Sequence, residues 1–381
     1  MAATPRVLQA DPKAGYLAHK AEIDAAVARV LDTGWYILGQ EVAAFEKEFA
    51  AFAAQAHGVG VANGTDALEI ALRGLGIGPG DGVLTVSHTA VATVASVELV
   101  GATPVLGDIE PAFYTLDPKA LDAALAGNMT GGDGARPKIK AAIVVHLYGQ
   151  PADMTAIAAT AKRHGVAIIE DCAQAHGATL DGKHVGAFGN AAAFSLYPTK
   201  NLGAFGDGGI VTTNDDTLAE KIRALREYGW RQRYISDLKG MNTRLDELHA
   251  AMLRVRLKYL AADNARRNAI ADAYDRGLAG LCPLPTRRAG TSHVFHQYVI
   301  RVANRAAVQE KLRDLGIGTN VHYPMPVHLQ PAYKGHTWLA GGGLPATEKA
   351  AEEVLSLPMF PQLTDAQVAE VIAAVKQVLT K

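Results

Sequence analysis

The sequence predicts an α/β protein with a large, mostly parallel sheet flanked by helices and a smaller C-terminal α+β domain. Two observations carry this expectation. Apolar runs closed by turn residues alternate with helical patterns from about Val59 to Thr213, the signature of βαβ units. The chain of 381 residues also exceeds what one hydrophobic core usually organises, so a second domain is expected. The division is placed between residues 255 and 256, with residues 1–255 as the larger unit and residues 256–381 as the smaller.

Taken in order, the clearest buried strands are Ala141 to Leu147, Val166 to Glu170 and Ala191 to Leu196, each a run of small and branched apolar residues. Between the first two, Met154 to Arg163 has helical spacing and closes on His164-Gly165, where glycine supplies a left-handed stop. From Leu245 to about Leu278 the spacing of Leu245, Leu248, Met252, Val255 and Leu260 predicts one or two long helices leading out of the large domain. Pro283 to Gly290 reads as a linker, Val294 to Val302 as a strand, and Ala306 to Leu315 and Asp365 to Leu379 as helices. Gly127 to Gly134 and Gly341 to Gly343 read as loops on composition.

Composition narrows the function. Lys+Arg 37 against Asp+Glu 38 gives a formal net charge of -1, which lacks the basic footprint of a nucleic-acid binder. Uncharged stretches are too short to cross a bilayer, so no membrane association is expected. The first twenty residues have no apolar core behind a basic start, so no secretory signal is expected. Cys172 and Cys282 form no CxxC pair and no disulfide framework, and the cytoplasm is the expected address. The 13 histidines lack ligand spacing on one face, and no metal is expected.

Three segments carry chemistry. In Phe194-Ser195-Leu196-Tyr197-Pro198-Thr199-Lys200-Asn201-Leu202-Gly203 a strand ends at a proline and a lysine follows in a loop of small residues. Ligands of open α/β folds bind at such strand ends, and a desolvated amine there can attack a carbonyl. By itself the same pattern also describes a surface lysine in a turn. In Ile168-Ile169-Glu170-Asp171-Cys172-Ala173-Gln174, Asp171 falls at a strand's carboxyl end, where a carboxylate needs a cation or several donors. A protonated pyridine nitrogen would suit it, and so would the cap of the next turn. In Asn63-Gly64-Thr65-Asp66 a polar turn opens a helix, offering an anion cradle or an ordinary cap. Ser195 is a further donor for a phosphate. The glycines of Gly74 to Gly80 follow a helix rather than a strand, which excludes a dinucleotide loop.

The segments NGTDAL, EDCAQAHGA, FSLYPTKNLGAFGDGG and MNTRLDELHAAMLRVRLKYL, in that order, resemble the DegT/StrS-type sugar aminotransferases, a fold type I family dependent on pyridoxal 5'-phosphate. The likeness extends from Gly34-Trp35-Tyr36-Ile37-Leu38-Gly39 through Val144 to Gln150, His322-Tyr323-Pro324 and Leu355 to Pro358, and covers nearly the whole chain. It implies a fold type I sheet of the seven-stranded kind. It implies that Lys200 carries the cofactor covalently and acts as acid and base, that Asp171 faces the pyridine nitrogen, and that Gln174 meets the ring hydroxyl. Gly64, Thr65, Asp66 and Ser195 would hold the phosphate. Members are generally homodimers with shared sites, so Asn242 from a neighbouring subunit would complete the phosphate shell, while Arg244, His322 and Tyr323 would face the nucleotide diphosphate of the substrate.

The implied reaction moves an amino group from L-glutamate to the keto sugar of a nucleoside-diphosphate-linked 6-deoxyhexose, expected to be dTDP-linked, in deoxysugar, polysaccharide or glycoside biosynthesis. Likeness in Val144 to Gln150, Gln174 to Ala178 and Lys221 to Arg226 favours the 3-position, with a 4-keto or other nucleotide sugar as the alternative. A pyridoxal phosphate-binding regulator without turnover is a second alternative, and Lys200 argues against the dehydratase branch, which has histidine there. One segment departs from the pattern. Where relatives place an aromatic over the cofactor ring, Thr89-Ala90-Val91-Ala92-Thr93 has Ala90, so either His88 stacks on the ring or stacking is absent. Period-two alternation would put His88 and Ala90 on one face of a strand.

Overall fold

The computed structural model describes residues 5–380. Met1 to Thr4 and Lys381, which the N-terminal reading and the domain bounds include, lie outside the described residues. Eight strands of three or more residues precede residue 214 among the described residues: β1 (His57–Val61), β2 (Asp81–Val86), β3 (Thr103–Gly107), β4 (Met129–Gly131), β5 (Lys138–Val145), β6 (Ala167–Asp171), β7 (Ala191–Ser195) and β8 (Gly209–Thr213). Three follow in the C-terminal third: β9 (Tyr298–Arg301), β10 (Trp338–Ala340) and β11 (Val354–Leu357).

Nine of these form one sheet in the order β1-β8-β7-β6-β5-β2-β3-β10-β4. From β7 through β6, β5, β2 and β3 every pairing is parallel, and β8 runs against both its neighbours. Alternation sorts the apolar residues to two faces. On β5, Ala141 and Ile143 join a core with Leu68, Leu72 and Ile222, while Ala142 and Val144 join one with Leu121, Ile157 and Ala161. Both faces are covered by helices, as a parallel sheet requires.

The seven strands from β1 to β3 are the sheet expected from the sequence; β10 and β4 extend it. Trp338 pairs with Val105 of β3 on one side and with Gly131 of β4 on the other. The stretch Gly127 to Gly134, read as a loop, therefore contains an edge strand. Gly132 has φ 69, and a Cβ there would lie 2.2 Å from Nε1 of Trp338, so only glycine lets the indole approach so closely. A three-residue strand is too short to show a period.

The stretch from Leu245 to Leu278 forms two helices, Glu247–Leu257 and Leu260–Leu278, and the expected division between residues 255 and 256 falls inside the first of them. A second core is built on Leu260–Leu278, through Ile270, Tyr274 and Leu278, with the helix Asp365–Leu379, the antiparallel pair β9 and β11, and Val7. Helix Met154–His164 ends on Gly165 at φ 64, as its sequence predicts. The strand expected at Val294 shortens to β9 because its first residues are diverted: the carbonyls of Val294 and Phe295 accept from Asn201 and Arg267 rather than from a neighbouring strand. Among the described residues no helix is long and apolar enough to cross a membrane.

Candidate active site

The carboxyl ends of β5, β6 and β7 open onto one cavity of about 420 Å³, whose lining includes Val145, Asp171 and Ser195 from the three strand ends. Its other walls are the helix start at Asn63 to Asp66 with Leu68, then Thr89, Ala90, Ala92 and Thr93 around the start of the helix Val91–Leu99, and Ala173, Gln174, Tyr197, Lys200 and Asp207. This is the crevice where open α/β folds take ligands.

Asp171 is buried and held at both oxygens. Thr93 Oγ1 donates to one oxygen at 2.9 Å and the backbone N–H of Ala173 to the other at 3.1 Å. Burial pushes its carboxyl above the usual range; the two hydrogen bonds and the nearby Lys200 and His146 pull the other way. A buried acid in that state favours a cation placed against it.

Lys200 follows a tight turn in which its backbone N–H donates to the Tyr197 carbonyl at 2.9 Å. The side chain is half-buried and lines the cavity. Desolvation lowers its amine to about 8, with the Asp171 charge opposing the shift. An amine at that value is neutral often enough near physiological pH to serve as nucleophile and as base.

Gln174 has a fixed amide. Its Oε1 accepts from Tyr148 N at 2.7 Å and its Nε2 donates to the Tyr323 hydroxyl at 3.1 Å, which leaves the second Nε2 hydrogen for a ligand. At the other end of the cavity, a Cβ on Gly64 would lie 2.6 Å from Ser195 Cβ, so the helix start and the hydroxyl are in close contact. The Asp66 amide is not free as expected. Asn63 caps the helix and takes that N–H at 2.8 Å, while the amides of Gly64 and Thr65 have no partner among the described residues.

His88 stands apart from the cavity. It is fully buried, its Nε2 bonds the Tyr148 hydroxyl at 2.9 Å, and burial lowers its pKa to about 3. Since Tyr148 gives its own hydrogen to the His322 carbonyl, His88 is the donor in that pair. Ala90, not His88, lines the cavity, and it is the N-cap of the helix Val91–Leu99 rather than a strand residue, so the alternation argument does not apply.

Tyr323 reaches the site through Gln174, and His322 is set one layer back, with Nδ1 on the Ser356 hydroxyl at 2.8 Å and its pKa lowered to about 4 by burial and by Lys200. Neither lines the cavity. Asn242 is exposed, and Arg244 lines a separate surface pocket of about 660 Å³ with Trp35, Tyr36, Trp230, Arg231 and Tyr234. Thr93, Tyr148 and Asp207 were not singled out from the sequence. Thr93 lay inside a quoted motif, but a threonine in a helix carries no signal of the carboxylate it serves.

The DegT/DnrJ/EryC1/StrS aminotransferase family matches residues 18–376. The chain is 49% identical over 378 residues to the dTDP-3-amino-3,4,6-trideoxy-alpha-D-glucose transaminase of Streptomyces venezuelae, covering 99% of this chain and 97% of that protein. The crystal structure of S. venezuelae DesV in complex with a ketimine intermediate superposes with a TM-score of 0.93 at 49% identity, covering 99% of this chain and 100% of that one. NtdA from Bacillus subtilis, solved with bound cofactor PMP, superposes at 0.86 with 31% identity, covering 96% of this chain and 82% of that one.

Proposed function

The chain belongs to the DegT/DnrJ/EryC1/StrS aminotransferase family, and on that premise we propose that it transfers an amino group from L-glutamate to the 3-keto group of a dTDP-linked 6-deoxyhexose. The observation that carries this reading is one cavity holding a desolvated lysine amine and a buried, doubly hydrogen-bonded aspartate. The choice of the 3-position rests on the relative from S. venezuelae, whose name places the amine there.

Pyridoxal phosphate fits the groups present. The unpartnered amides of Gly64 and Thr65 and the Ser195 hydroxyl suit a phosphate at a helix start. Asp171 suits a cationic ring nitrogen, Gln174 has a spare donor for a ring oxygen, and Lys200 is the amine for the aldehyde. When bound, the cofactor supplies an electron sink through which an amino group passes between donor and acceptor.

The chain's own residues do the rest. Asp171 holds a positive charge in place at the ring nitrogen, and Thr93 and Ala173 prevent it from rotating away. Lys200 Nζ would take up a proton and return it, a task for which a pKa of about 8 is suited. Val145, Ala90 and Ala92 give the cavity apolar walls that keep water from the reacting atoms.

Incubation with glutamate and either a 3-keto or a 4-keto dTDP-6-deoxyhexose tests the proposal. Product is expected from the 3-keto sugar; exclusive use of the 4-keto sugar would overturn the position, and turnover of neither would overturn the activity.

We further propose that the protein works as a homodimer in the cytoplasm. Asn242 and Arg244 are absent from the lining of their own chain's cavity, which leaves them for a second subunit's site. Cys172 and Cys282 are both unpaired, in keeping with a reducing compartment. Mixing inactive Lys200→Ala and Arg244→Ala subunits should restore one working site per hybrid dimer, read as recovered transaminase activity. No recovery after verified subunit exchange would remove the shared-site arrangement.

A further inference from the structure

The residue after the lysine is not a spectator. Asn201 is buried, and its Nδ2 donates to Asn264 Oδ1 at 2.8 Å and to the Val294 carbonyl at 3.0 Å. Asn264, on the helix Leu260–Leu278, in turn donates from Nδ2 to the His176 carbonyl at 2.8 Å. His176 lies two residues beyond Gln174, in the run of turns that leaves Asp171. Gly177, at φ 85, would place a Cβ 3.1 Å from Asn264 Nδ2, so a side chain there would crowd the contact.

These bonds form one directional chain, with each amide using its oxygen on one side and its nitrogen on the other. Asn201 Oδ1 completes the set by accepting from His296 Nδ1 at 3.3 Å. Reversing either amide would place two acceptors or two donors face to face, so the orientation of both is determined. The chain begins on the turn that presents Lys200 and ends on the one that presents Asp171 and Gln174.

We propose that Asn201 and Asn264 are positioning residues, an amide relay that fixes the lysine turn relative to the aspartate turn and so sets where Lys200 Nζ stands over the cofactor. The inference rests on the reading of Lys200 and Asp171 as the two cofactor contacts. A relay of this kind acts through geometry: misplacement on the scale of 1 Å is enough to slow a reaction roughly a hundredfold.

The test uses the cofactor-loaded protein with three readouts: the dissociation constant for pyridoxal phosphate, the rate of the absorbance change on adding saturating glutamate, and the thermal midpoint. Asn201→Ala and Asn264→Ala should each weaken cofactor binding and slow the glutamate step roughly ten- to a hundredfold, with half-saturating glutamate little changed. The double variant should lose no more than the worse single one, because breaking one link already disconnects the two turns. Asn264→Asp keeps the volume and the oxygen that Asn201 needs but removes the donor to His176, and it should be as slow as Asn264→Ala. It decides the matter if the alanine variants do not fold.

Losses that multiply in the double variant, an Asn264→Asp protein that runs at the wild-type rate, or variants altered only in thermal midpoint would each overturn the relay. Borohydride treatment of the wild-type protein separates the two levels. If no cofactor is trapped on Lys200, the reading of the site itself fails; if trapping succeeds and the variants behave as just described, only the relay fails.

Discussion

Lys200→Ala is expected to abolish turnover and the visible absorption of the bound cofactor while leaving the fold intact. The side chain is at the surface of the cavity and not in a packed core, so its removal leaves no apolar void; the circular dichroism and thermal midpoint should be close to those of the wild type. The rate loss should be about 10⁴-fold or more, the upper end of what one positioned proton-transfer group supplies, since the same amine also holds the cofactor. The lowered amine pKa adds a second signature. In the cofactor-free protein the nucleophile is the neutral amine, so capture of pyridoxal phosphate should speed up as pH rises to about 8 and level off above it. Retained turnover in the alanine variant would remove Lys200 from the mechanism, and a capture rate independent of pH would remove the desolvated amine.

The second large effect is expected at Asp171. Asp171→Ala deletes the charge facing the ring nitrogen and strands the donors Thr93 Oγ1 and Ala173 N in a buried site. A loss of roughly 10²- to 10³-fold in rate follows, the size seen when a preorganised electrostatic partner is removed. Asp171→Asn separates the two causes, because it keeps the shape and an acceptor and removes only the charge. It should be nearly as slow. A fast asparagine variant would mean that shape, and not charge, is what the position contributes.

How much of this was legible in the sequence depended on the length scale of each signal. The parallel sheet was legible because β5, β6 and β7 each carry a short unbroken run of apolar or small residues, Ala141–Val145, Ala167–Ile169 and Ala191–Ser195, between clear turns. Asp171 and Ser195 were legible from their strand ends and Lys200 from the turn just past one, Gln174 through the family resemblance alone, and the structure gathers all four around one cavity. The relation between His88 and Ala90 was not. The strand stops at Val86, and a helix capped by Ala90 replaces the alternation assumed there. That the Asp66 amide is already bonded was not legible, because the same Asn63 that marks a helix start also takes up the donor. Contacts across large separations, such as Asn201 with Asn264 or Trp338 with Gly131, leave no local pattern at all.

The placement of β10 bears on how the molecule can move. The second core is joined to the main sheet by the chain after Leu257, and the chain later returns to the sheet as β10, beside β3, where Trp338 and Ala340 pack in the sheet's own core. A chain that leaves the main sheet, returns to it and leaves again ties the two cores together more closely than a single tether would. Unfolding should therefore proceed as a single cooperative event in which neither half outlasts the other.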